Sequence, residues 1–179
     1  LLDITYDQAV SGVGLGNAMQ ARPRFEGKTP YTRLGFYAYR TLADVFAQML
    51  LADEQSLQNP RYRYDLVMVG RQVLVNLFNA VREDAFRAYK AEDIKKFDES
   101  AALLLEIASD VDRLVRCCPE FSLNRWIKAA HRFDAPDTAP LYFEKNARVL
   151  VTTWGPKGSL LTDYAARDFS GLIKLYYRE

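Results

Sequence analysis

Few residues in this chain have the type and spacing to carry chemistry. The cysteines, Cys117 and Cys118, are adjacent. Neighbouring Cα atoms stand about 3.8 Å apart, whereas a disulfide prefers about 4.4–6.8 Å. The pair therefore reads as two free, structural thiols. One histidine is present, His131. A single histidine and two cysteines without the Cys-x2-Cys spacing cannot build a structural zinc site, so no metal is expected. A Cys–His nucleophile pair also lacks support, because nothing marks either thiol as activated. Gly12, Gly14 and Gly16 read G-x-G-x-G, which is not dinucleotide spacing, and no strand pattern precedes them. Gly27-Lys28-Thr29 resembles the end of a phosphate-binding loop. Arg22, however, stands where the first glycine is needed, and Pro30 follows at once. No cofactor is expected. Carboxylates are plentiful, but none pairs as acid and base. Glu83 and Asp84 lie among Arg82 and Arg87, and Glu92 with Asp93 lies near a helix boundary. Such charges suit a solvated helix face. No catalytic residue is expected within the chain.

The aromatic residues are more informative: 10 Phe, 11 Tyr and 2 Trp. Phe78 and Phe169 stand at helical spacing and read as core. Tyr31, Phe36, Tyr37 and Tyr39 cluster instead where a glycine- and proline-containing stretch meets a helix. Aromatic rings on an ordered loop can stack on a flat apolar ligand face such as a sugar ring. Phe36, Tyr37 and Tyr39 are thus the candidate substrate-binding residues. The competing reading is that they only staple the loop to the helices.

The elements that would position them are helical. Residues 11–36 hold five glycines together with Pro23 and Pro30, which predicts mainly loop. Residues 1–10 suggest a short helix. Leu42, Val45, Phe46, Met49 and Leu50 follow the i, i+3, i+4 rule, with a break near Asn59-Pro60. Leu66, Val69, Val73, Leu77 and Val81 mark a long amphipathic helix over about 61–90. Leu103, Ile107, Val111, Leu114 and Cys118 mark another, stopped by Pro119. Phe121, Leu123, Trp126 and Ile127 predict a short helix capped near Ser122 or Glu120. Residues 134–140 form a connector. Phe143, Ala147, Leu150 and Trp154 then share a face, up to Gly155-Pro156. Leu161, Ala165, Phe169, Leu172 and Tyr176 give the cleanest stripe, with Ser159 or Thr162 as its cap. No strand alternation or hairpin signal recurs. The fold class is all-α, an antiparallel bundle of about six helices in a single domain over residues 1–179.

Composition sets the outer bounds. The chain has 179 residues, 49% of them hydrophobic and 26% charged, which suits a globular domain rather than a disordered one. Lys plus Arg is 24 and Asp plus Glu is 23, a net charge of +1, so neither nucleic acid nor an anionic membrane surface is an expected partner. No apolar run approaches the roughly 20 residues of a membrane helix. The chain opens at Leu1, not Met, and reads as a piece of a longer protein.

The C-terminal third carries a resemblance. Phe143-Glu144-Lys145-Asn146-Ala147-Arg148, Thr152-Thr153-Trp154-Gly155-Pro156, Leu161-Thr162-Asp163-Tyr164-Ala165, Gly171-Leu172 and Tyr176-Tyr177 stand in one order and spacing. This resembles the C-terminal helical domain of the α-N-acetylglucosaminidases, glycoside hydrolase family 89. Ala21-Arg22-Pro23, Arg63-Tyr64-Asp65-Leu66 and Arg71-Gln72 extend the match to about residues 20–179. The resemblance implies hydrolysis of terminal α-linked N-acetylglucosamine with retention of configuration. It also implies two catalytic glutamates on a (β/α)8 barrel upstream of Leu1, about 5–5.5 Å apart as retention requires. The partners implied are a glycan with terminal α-N-acetylglucosamine and that barrel, against which this domain packs to wall the active site. A homo-oligomer stays open. The compartment implied is exported for bacterial members and lysosomal for animal ones. Phe36-Tyr37 matches a Trp-Tyr pair of the family; Phe keeps the stacking face but lacks the indole N–H. Ala38 replaces the family's Asn. The alternative function is a non-enzymatic helical interaction or scaffold module.

Overall fold

The computed structural model describes residues 19, 39–137, 139, 141–156 and 167–177. Six α-helices are described: α1 Tyr39–Met49, α2 Glu54–Gln58, α3 Pro60–Lys90, α4 Ile94–Val115, α5 Leu123–Ala130 and α6 Tyr142–Leu150. Among the described residues there is no strand, only an isolated parallel bridge between Ser122 and Ser170. The all-α expectation holds. The expected 1–10 helix and the loop over 11–36 lie outside the described residues, Met19 aside.

The organising element is α3, 31 residues and about 46 Å long. Asn59 is extended, as a residue before proline must be, and its side chain accepts from the Arg61 N–H while Pro60 takes the first helical position. At the far end the chain reverses over Ala91, Glu92 and Asp93. The Asp93 N–H reaches the Ala88 carbonyl and the Glu92 N–H reaches that of Tyr89. This Schellman closure puts Glu92 at φ 55°, where glycine is usual. Asp93 then caps α4 by accepting from the Lys96 N–H at 3.1 Å. So short a turn forces α4 back antiparallel along α3. Val67, Val75 and Val81 of α3 meet Ile107, Val111 and Val115 of α4 to form the core, with Cys118, Met19 and Ile173 packed in.

Several expected details are corrected. The helix over 42–59 is two: α1 stops at Met49, and α2 is restarted by Asp53, which accepts the Ser56 N–H at 2.7 Å. On α4 the buried stripe is Ile107, Ala108, Val111 and Val115, flanked by Leu104; Leu103 is exposed. On α3 Leu77 is likewise exposed, because Val75 and Asn76 take the inward positions. Trp154 does not continue α6. The helix ends at Leu150, and Trp154 sits at φ 56° with its N–H bonded to the Val149 carbonyl.

The largest correction concerns the last segment. Residues 161–166 lie outside the described residues. Beyond them, Arg167–Ser170 is not helical: the Ser170 N–H bonds to the Phe121 carbonyl at 2.7 Å, and the Leu123 N–H to the Ser170 carbonyl at 3.3 Å. Gly171 follows at φ 89°, then one π-helical turn, Ile173–Tyr177. The cause is a long-range capture. The Asp112 carboxylate, 1% exposed, accepts the N–H groups of Gly171 and Lys174 at 2.6 and 3.3 Å. This bends the segment across α4 and inserts Ile173, 0% exposed, into the core.

Candidate functional site

Of the three candidate substrate residues, Phe36 and Tyr37 lie outside the described residues. Tyr39 is the first residue of α1, and only its backbone is described. What the structure does give is how α1 is held. Gly70 of α3 lets the Phe46 ring lie directly on the α3 backbone: a Cβ there would stand 2.7 Å from two ring atoms and 3.1 Å from Leu114 Cδ2. Val45 is buried beside it. At the other end, the Tyr62 hydroxyl donates to the Met49 carbonyl at 2.8 Å. These contacts fix the axis of α1, which begins at Tyr39.

The charged residues were harder to place from sequence. Arg71 donates to Asp168 at 2.6 Å across 97 residues of chain, with Asp168 buried. Asp112 takes Arg116 at 2.5 Å besides its two backbone N–H groups. The buried carboxylates of the described residues, Asp112 and Asp168, thus both hold parts of the fold together. Both cysteines are free, as expected; Cys118 is buried with its thiol pKa raised, chiefly by desolvation, whereas Cys117 is exposed.

His131 gains a role that the sequence reading missed. Its Nδ1 meets Asp134 at 2.8 Å and its Nε2 meets Glu144 at 2.9 Å. Glu144 also accepts from Arg148 Nε at 2.8 Å. The hydrogen bond to Asp134 does most to raise the imidazole pKa. The bond to Glu144 and both carboxylate charges add to it, against desolvation. Glu144 is held below the usual carboxylate range, first by Arg148. The cluster ties the turn after α5 to the first turn of α6. Trp126 adds a second tie, donating from Nε1 to the Ala147 carbonyl at 2.9 Å. Among the described residues no group of His, Cys, Asp and Glu is arranged to hold a metal, and no helix is long and apolar enough to cross a membrane.

Residues 5–179 match the model of the α-N-acetylglucosaminidase C-terminal domain. The chain belongs to this family. It is similar to human α-N-acetylglucosaminidase, 28% identical over 154 residues, which is 84% of this chain and 21% of the human protein. Its fold is similar to that of a family 89 glycoside hydrolase from Clostridium perfringens solved in complex with PUGNAc. That likeness has a TM-score of 0.85 and 27% identity over 98% of this chain and 22% of that one. A doubly Glu-to-Gln substituted form of the clostridial enzyme, in complex with its substrate GlcNAc-α-1,4-galactose, gives 0.79 and 28% over 90% of this chain and 19% of that one. The chain spans about a fifth of the length of these relatives. Among its described residues this domain is all-α, organised on α3 and α4, with α1 held by Phe46 on Gly70.

Proposed function

We propose that this chain is the C-terminal helical domain, folded as one unit, of an exo-acting α-N-acetylglucosaminidase that cleaves terminal α-linked N-acetylglucosamine from glycans with retention. In this reading the two catalytic glutamates belong to a barrel elsewhere in the same polypeptide. The chain itself packs on that barrel and walls the substrate pocket. The observation that carries it is the family match over residues 5–179. The likeness to a hydrolase solved with GlcNAc-α-1,4-galactose supports the substrate class. Export, or a lysosomal setting for an animal source, goes with the same reading. Exposed Phe133, Leu141 and Tyr142 are what a domain-docking face would present, so they do not favour a free-standing scaffold module.

The test compares the full parent protein with the 179-residue chain on a chromogenic α-N-acetylglucosaminide. Turnover by the parent alone is expected. Turnover by the isolated chain, or by neither, would overturn the reading. Phe36, Tyr37 and Tyr39 border the pocket in this proposal. Tyr37→Ala in the parent should then lower kcat/KM; unchanged kcat and KM would remove these residues from the substrate path.

A further inference from the structure

His131 opens the 3-10 turn His131–Phe133 that leaves α5, and both of its ring nitrogens face a carboxylate. Nδ1 stands 2.8 Å from Asp134, and Nε2 stands 2.9 Å from Glu144 of α6. An ionised carboxylate only accepts hydrogen bonds, and a neutral imidazole carries a single N–H. Both contacts are therefore hydrogen bonds only while the ring is an imidazolium. Once a proton leaves, one of the two carboxylates meets a nitrogen lone pair. The surroundings decide which. Glu144 keeps a partner on its own helix, because Arg148 reaches its Oε1 from Nε at 2.8 Å and from Nη2 at 2.7 Å. The Asp134 carboxylate, among the described residues, has the imidazole alone. The proton that remains thus belongs on Nδ1, and the contact given up is the one to Glu144. The other charged side chains nearby on the packed elements are Lys128 of α5, Arg132 of the turn, and Lys145 and Arg148 of α6. None of them makes a hydrogen bond or ion pair with the ring.

We propose that His131 is a proton-controlled latch: as an imidazolium it holds α6 against the turn after α5, and on losing one proton it keeps Asp134 and releases α6. Little else holds that helix. It buries Ala147 alone, and Trp126 Nε1 donates to the Ala147 carbonyl at 2.9 Å. The same seam carries an aromatic surface. Phe133 of the turn meets Phe143 of α6 at 5.8 Å between ring centroids, and Tyr142 lies edge-on to Phe143 at 5.2 Å. Phe133 and Tyr142 are exposed, so the state of one proton sets the shape of a surface that faces solvent. The latch is complete below about pH 6.5 and is lost as pH rises through the raised folded-state pKa of the imidazole. This inference stands apart from the hydrolase reading: it concerns the conformation of this chain, whatever the parent protein cleaves.

The test has two readouts on the unsubstituted 179-residue chain. Nitrogen-15 NMR follows the ring nitrogens through a pH titration, and His131 is the one histidine of the sequence, so its signals need no assignment. Above its pKa the proton should remain on Nδ1. Amide exchange, each rate divided by its intrinsic value, is compared at about pH 5.5 and about pH 8.5. Protection over 143–149 should fall about tenfold at the higher pH, from the loss of one charge-assisted hydrogen bond at a partly exposed site. Protection in α1, whose local opening leaves the latch intact, should stay the same. Two variants then separate the roles. His131→Gln should show low α6 protection at both pH values. Asp134→Asn should keep α6 protected at both, because the amide offers an N–H to Nδ1 and leaves the neutral ring's proton on Nε2 for Glu144. The inference is overturned if the neutral ring of the unsubstituted chain is protonated on Nε2, if α6 protection is equal at both pH values, if α1 loses as much as α6, or if either variant keeps the unsubstituted pH response.

Discussion

A Cβ at Gly70 would stand 2.7 Å from the Phe46 ring, and the two effects of adding one oppose each other. Alanine in a helix interior is favoured over glycine by about 1 kcal/mol. Overpacking a filled site costs about 1–3 kcal/mol. Because Leu114 Cδ2 also lies 3.1 Å from that Cβ, the added methyl is crowded by two side chains at once, so the steric effect wins. Gly70→Ala should lower stability by about 1 kcal/mol, read as a lower urea midpoint at unchanged slope. Adding Phe46→Leu should recover part of the loss; a stabilised Gly70→Ala would show that the ring yields freely. His131 gives a second single-residue expectation. The groups facing it are Asp134 on its own turn and Glu144 on α6, the latter shared with Arg148. Its folded-state pKa is raised above the unfolded value, so its contribution is full below about pH 6.5 and is lost as pH rises through the folded value. Glu144 is shifted down, so its share is kept until pH falls through that lowered value. The melting-temperature gap between the parent chain and His131→Ala should therefore be wider at about pH 5.5 than at about pH 8.5. An equal gap at both would mean the imidazole acts through packing alone.

At the scale of elements, the last segment is held by Asp112 more than by its own helical tendency. Asp112→Ala would leave the Gly171 and Lys174 N–H groups without their acceptor in a buried site, a loss of about 2–4 kcal/mol. Arg116 is mostly exposed, so Arg116→Ala should cost under about 1 kcal/mol. Equal losses would assign the clamp to the ion pair instead. This capture also explains what the sequence could and could not reveal. The helices α3 and α4 were legible because their apolar period runs over 31 and 22 residues, with a proline or an aspartate at each start. The stripe through Phe169, Leu172 and Tyr176 had the same period. Its backbone, however, bonds to a carboxylate 59 and 62 residues earlier, which no local pattern reports. Trp154 misled for a related reason: its spacing continued α6, but the chain had already turned at Val151–Thr153. The tie that His131 makes to α6 is hidden in the sequence because its partner Glu144 lies thirteen residues away. Of the aromatic candidates, Phe36 and Tyr37 lie outside the described residues, and Tyr39 is the first residue of α1.

Across the whole molecule, burial is uneven, and this predicts how the chain opens. Val111 and Val115 of α4 are fully buried, and α3 contributes eight buried positions spread from Val67 to Ala88. Ala85 and Ala88 are small enough to let the two helices approach closely at their turn end. By contrast, α6 has nine residues and buries one, Ala147. The residue before it, Leu141, sits at φ 60° and gives no side-chain cap, and the Tyr142 N–H turns back to the Ala139 carbonyl at 3.1 Å instead. What holds it is the Trp126 bond to the Ala147 carbonyl and the His131–Glu144 contact. Regions with few buried contacts open at lower free energy than the core. Amide exchange should therefore be slowest in α3 over 75–88 and in α4 over 107–115. Exchange in α6 should be at least about tenfold faster, a difference of about 1.4 kcal/mol in opening free energy. Trp126→Phe keeps a ring beside Phe169 but removes the indole N–H that reaches α6. It should speed exchange in α6 further and leave the α3–α4 pair unchanged. Uniform protection across all three helices would instead mean that the chain opens as one cooperative unit, with α6 as much a part of the core as α4.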